Sequence, residues 1–224
     1  MTELPFYISL LFGITVLISI AWFYMACRSR EFLIIALLWT IIQSVLGITG
    51  VYEDAQTMPP RIMAFGVFPA ILLIVVLLLS RRGKKWMDRL SLKTLTTFHT
   101  IRIPVEVVLA LLYHHGMVSV YMTFEGTNLD IISGISALPV AILAFRAQTF
   151  NGKLFLAWNV LCLILLLNVV ITAAFAIPTP FQRLAFDQPN IAVLYFPFNL
   201  LPTVVVPLVL LGHIVALKRW NKKL

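Results

Sequence analysis

The chain has 224 residues, of which 61% are hydrophobic and only 12% charged, with a net charge of +8. A soluble domain is about 45–50% apolar and about 25% charged, so this composition excludes one. In a soluble protein the basic excess would point to nucleic acid; here it is assigned to anionic lipids at the cytoplasmic face, and no nucleic-acid partner is expected.

Seven apolar runs follow one another in chain order, at residues 5–27, 32–52, 61–80, 98–121, 129–148, 153–176 and 191–217. Each is about twenty residues long, the length that crosses a bilayer as a helix. None alternates apolar and polar residues as a barrel strand does. Backbone groups in lipid must be satisfied within the chain. The expectation is therefore an all-α integral membrane protein, a single seven-helix domain over residues 1–224. Residues 84–97 interleave Trp86, Met87, Leu90 and Leu95 with Lys85, Arg89 and Lys93, which reads as an interfacial helix. The opening Met1-Thr-Glu-Leu-Pro5 has no basic n-region, so the first run is read as a span and not as a cleaved signal.

Charge in the connectors alternates. Arg61 and Arg183 lie on one set of connectors and Arg102 lies inside a span, while the other fourteen of the seventeen Lys and Arg, including Lys222 and Lys223 in the tail, lie on the alternate set. Positive residues mark the cytoplasmic side. That predicts an outside N-terminus, a cytoplasmic C-terminus and a multi-pass protein of the inner, or plasma, membrane. Cys27 and Cys162 both fall away from the oxidising side, so no disulfide is expected.

Spans one to three and five to seven share a weak pattern. Gly13–Leu17 is matched by Gly134–Leu138, Leu37–Thr40 by Leu156–Asn159, and Pro69 by Pro202. The fourth span would then link two parallel halves, a 3+1+3 plan. In topology this is similar to the SWEET carriers and to the rhodopsins. The chain lacks the Pro-Gln pair of SWEET-related proteins. Its last span, 191–217, has no lysine, which excludes a retinal Schiff base there. Ile103–Glu106 is similar to the Pro-x-Glu-Glu element of membrane carotenoid cyclases, but Val107 replaces the second acid, so that likeness is set aside.

The fourth span holds the residues most costly to place in hydrocarbon. His99, Arg102, Glu106 and Tyr113 fall within about 60° of one another on a helix, and ionisable groups inside a membrane mark functional sites by default. Arg102 and Glu106 are spaced for an ion pair. Pro104 withdraws an amide donor and should loosen a carbonyl near Thr100. The stripe is placed in the cytoplasmic half, where Arg102 has the option of snorkelling to the headgroups. In span seven, Asn199, Thr203 and His213 share a face within about 80°, beside Pro202 and Pro207, and are expected to face the stripe.

No zinc-protease, nucleophile-elbow, phosphate-loop or Cys-x-x-Cys motif occurs. The leading expectation is a polar pocket that binds, and in its stronger form transports, a small polar or anionic solute. Arg102, Glu106, His99, Tyr113, Asn199, Thr203 and His213 would line it, with Glu106 or His99 accepting a proton. The alternative is an intramembrane enzyme on a lipid or isoprenoid substrate, with Glu106 and His99 as catalytic acid and base, or with His99, Glu106 and His213 holding a metal. A second alternative is a sensor or scaffold subunit.

Overall fold

The computed structural model describes residues 4–146 and 149–221. Gln148 at the end of the fifth run, Lys222 and Lys223 in the basic tail, and the Met1–Glu3 end lie outside the described residues. Apart from one two-residue hairpin, Phe145–Arg146 with Thr149–Phe150, the described fold is helical. Five helices are long and apolar enough to cross a membrane, and a sixth is counted if a sharply bent pair forms one span.

Helix α1, Phe6–Cys27, ends where Arg28 takes a left-handed conformation and its amide bonds Tyr24 O. Ser29 then caps α2, Arg30–Ile48, by accepting from the Phe32 amide, a standard way to satisfy a helix start. A π-turn at Met63–Val67 leads into α3, Phe68–Leu79. The chain bends by 90° into the basic α4, Arg81–Met87. A Cβ at Gly83 would stand 2.2 Å from Leu77 O, so only glycine permits this bend.

Ser91 caps α5, Leu92–Phe98, and its own amide bonds Ala26 O of α1. Through a 3₁₀ turn at His99–Ile101, α5 runs into α6, Arg102–His114. The turn sits where Pro104 cannot donate to Thr100, four residues earlier. Together these segments make one helix, Leu92–His114. The helix thus starts six residues before the apolar run that opens at Phe98, and Leu92 and Leu95 in this added part are buried in the core. Glu106 is fourteen residues from one end of that helix and eight from the other, about 21 Å and about 12 Å at 1.5 Å per residue. The polar stripe therefore sits near the middle of this helix.

Helix α7, Ile131–Ala144, is only 14 residues long, about 21 Å against a hydrocarbon core of about 30 Å. Where α3 and the last helix are each extended by the π-turn that leads into them, α7 is not: Leu129 and Asp130 belong to the connector before it, and Phe145–Arg146 turn into the hairpin after it. Helix α8, Gly152–Ala176, follows the hairpin. A second π-turn, Leu201–Val205, opens α9, Val206–Arg219. The last helix carries Lys218 in its final turn, one residue beyond the lysine-free run.

The Leu92–His114 helix is central. It packs against α1, α7 and α9, and 61% of its apolar window is buried, against 11% for the peripheral α2. A second, smaller core of Tyr52, Ala55, Ile62, Ile177, Val193 and Leu194 joins two connectors at the far end.

Candidate functional site: a buried Arg102 centre

The central helix presents His99, Arg102 and Glu106 to neighbours on three other elements, and all three are buried. A buried charge is tolerated only when paired and hydrogen-bonded. The Arg102 guanidinium finds partners on three other segments. Nη1 donates to Asp130 Oδ1 and, at 3.3 Å, to Cys162 O of α8, while Nη2 lies 2.7 Å from His213 Nε2 of α9. Arg102 does not snorkel: its side chain is 3% exposed. Its ion pair is with Asp130 and not with Glu106, because the connector before α7 folds inward and places a carboxylate against the guanidinium.

Arginine only donates, so His213 Nε2 must accept. That fixes the proton on Nδ1, which reaches Asn159 Oδ1 of α8 at 2.9 Å. Asn159 Nδ2 in turn donates to Phe155 O. The His99 and His213 rings stack at 4.0 Å and 20°, and Trp158 meets His99 edge-on at 5.5 Å. Among the described residues, His99 Nδ1, Thr100 Oγ1 and Arg102 Nε are buried without hydrogen-bond partners.

Glu106 is held separately. Asn128 Nδ2 lies 2.8 Å from both carboxylate oxygens and also donates to Met122 O. Asn128 Oδ1 accepts from the Asp130 amide, a local turn typical of Asn that sets both side chains at once. Ser133 Oγ adds a bond to Asp130 Oδ1. The centre thus contains one guanidinium, two carboxyl groups and two imidazoles, linked through Asn128 and Asn159.

Asn199 and Thr203 do not join this centre. The structure places them in a second polar group facing α2. Asn199 Nδ2 donates to Gln43 O, Thr203 Oγ1 to Asn199 O, and Tyr52 to Gln43 Oε1. Pro69 and Pro207 lack the amides that would serve Phe65 O and Thr203 O, four residues earlier. Gln43 Nε2 donates to Phe65 O at 3.0 Å, and Trp39 Nε1 to Thr203 O at 2.8 Å. Two side chains one turn apart on α2 therefore serve both proline-freed carbonyls. Glycines let the helices approach: a Cβ at Gly66 would stand 2.4 Å from Thr203 Cγ2, and one at Gly47 would stand 2.7 Å from Asn199 Oδ1. Tyr113 is also outside the Arg102 centre, and its carbonyl accepts from Gln188.

For the metal triad of His99, Glu106 and His213, the geometry is that both nitrogens of His213 and both oxygens of Glu106 have hydrogen-bond partners. Among the described residues no three His, Cys, Asp or Glu lie in a metal-holding group. At the surface, His114 lies 3.7 Å from Glu125.

Asn128, Asp130, Ser133 and Asn159 escape a reading of the stripe alone. One signal for Asp130 is that Arg102 is the only Lys or Arg between Lys93 and Arg146, so the carboxylates of the following connector have no other base nearby in sequence.

A family model described as a domain of unknown function, DUF8737, matches residues 59–220. No curated protein and no solved structure matches the chain. The matched stretch contains the whole Arg102 centre and leaves out α1 and α2, which supply Trp39 and Gln43 to the second group.

Proposed function

The chain belongs to that family, DUF8737, and we propose that it is an inner-membrane protein whose Arg102 centre binds, and carries across the bilayer, a small polar or anionic solute. In this reading it has seven spans, with α7 completed by the segments flanking it, an outside N-terminus and a cytoplasmic C-terminus. Connector charge supports that orientation. The 3+1+3 plan is supported by the π-turn and proline elements at α3 and α9, since broken helices at corresponding positions of two halves are a mark of transporter repeats.

One observation carries the proposal. The carboxylate that neutralises the buried Arg102 comes from Asp130, on a connector, and not from a neighbouring helix turn. Asp130 stands where the anionic group of a solute would sit. A solute carboxylate or similar anion replaces it on the guanidinium, in the planar geometry arginine favours. As the connector withdraws, Asn128 leaves Glu106, which becomes free to take up a proton. His213, backed by Asn159, keeps the guanidinium oriented.

The test is a thermal-shift panel of small carboxylates, phosphate and neutral polar solutes on the purified protein in detergent. The wild type is stabilised by at least one anionic class. The charge-balanced double variant Arg102→Gln/Asp130→Asn folds and loses that response. Retention of the response in the double variant refutes the proposal.

A further inference from the structure

Away from the Arg102 centre, an apolar groove of about 570 Å³ runs along the outward face of α8. Leu156, Val160 and Ile164 line it, with Lys153 and Trp220 at one end. Val160 and Ile164 are exposed and Lys153 is exposed beside them. From Lys153 to Ile164 is eleven residues, about 16 Å along the helix, which is close to one leaflet of a hydrocarbon core about 30 Å thick. Arg146, paired with Thr149 in the hairpin just before α8, lies at the end marked by Lys153, and so do Lys218 and Arg219, next to Trp220, whose carbonyl packs against Gly152.

We propose that this groove is a site for an anionic glycerophospholipid of the inner leaflet. One acyl chain lies along Leu156, Val160 and Ile164, and the headgroup phosphate meets Lys153. Trp220 sits at the level where its amphipathic ring is favoured, between chain and headgroup. Its position is fixed by close backbone packing, since a Cβ at Gly152 would stand 2.8 Å from Trp220 O. Three features select this occupant over a protein helix: the single-leaflet length, the absence of acidic residues from the lining, and cationic charge confined to one end. The proposal uses the orientation given above but not the solute reading, so either can fail alone.

The experiment follows the melting temperature of the full-length protein in detergent as phosphatidylglycerol or phosphatidylcholine is added, with retained lipid counted by native mass spectrometry. The wild type prefers phosphatidylglycerol by roughly fivefold, the factor expected for one lysine at an anionic surface, ~1 kcal/mol. Lys153→Gln removes the preference but keeps the response common to both lipids. Val160→Phe fills the groove and weakens both responses. Equal affinity of the wild type for the two lipids overturns the proposal, as does wild-type behaviour of both variants. If soluble glycerol phosphate alone reproduces the shift, the site is one for a free anion and the lipid assignment fails.

Discussion

Asp130 and Arg102, 28 positions apart, form an ion pair buried to 7% and 3% side-chain exposure. It ties the connector before α7 to the middle of the central helix. Removing one partner of such a pair leaves an uncompensated charge and costs about 3–5 kcal/mol, whereas removing both costs far less. Arg102→Met and Asp130→Leu should each lower stability by that order. The double variant should lose clearly less than the sum of the two. Reversible unfolding in mixed micelles measures the three differences, and strict additivity would show that the pair is not coupled.

The hydrogen-bond logic at His213 gives a spectroscopic expectation. Because Arg102 can only donate to Nε2, the proton resides on Nδ1. Nitrogen-15 spectra of histidine-labelled protein should show His213 with a protonated Nδ1 and a bare Nε2, and Asn159→Leu should perturb that signal first. The opposite tautomer would contradict the Arg102–His213 contact.

Glu106 depends on a single amide group. Asn128→Asp sets a second carboxyl group against Glu106 and removes the donor, so it should destabilise more than Glu106→Gln, which leaves an acceptor for Asn128. The cost of losing a buried partner is about 1–3 kcal/mol. Equal melting temperatures for the two variants would argue against the Asn128–Glu106 bond.

The two glycine approaches predict a rescue. Gly66→Ala drives a methyl group to 2.4 Å from Thr203 Cγ2, and overpacking of this kind costs about 1–3 kcal/mol. Thr203→Ser deletes that carbon and keeps the hydroxyl bonded to Asn199 O. The combined variant should regain most of the loss, as read from its melting temperature, and a failure to regain it would place the clash elsewhere.

Helix α2 is held by a narrow polar seam, so Gln43→Leu and Trp39→Phe should each loosen it. Hydrogen bonds between membrane helices average about 0.6 kcal/mol. In a Pro69→Ala background, a new backbone amide at position 69 serves Phe65 O, and the cost of Gln43→Leu should fall. A cysteine-accessibility scan along α2 would report the loosening directly.

Hydropathy alone settled the helical class, since long non-alternating apolar runs in lipid leave the backbone no other way to satisfy itself. The 3.6-residue period put His99, Arg102 and Glu106 on one face, and Pro104 marked the irregular turn beside them. These are local properties, written within one or two helical turns. Span boundaries were less legible, because Leu92 and Leu95 look interfacial beside lysines and become core only when α1 and α9 pack against them. Only the tertiary structure decided which groups meet. Periodicity placed Asn199, Thr203 and His213 on one face of an ideal helix. The π-turn at Leu201–Val205 inserts an extra residue per turn and rotates the segments relative to each other, sending Asn199 and Thr203 to α2 and His213 to Arg102. The partner of Arg102 was likewise beyond the sequence. Glu106 is adjacent on the helix, yet Asp130 wins the guanidinium because an inward-folded connector satisfies Asp130 and Glu106 together through Asn128.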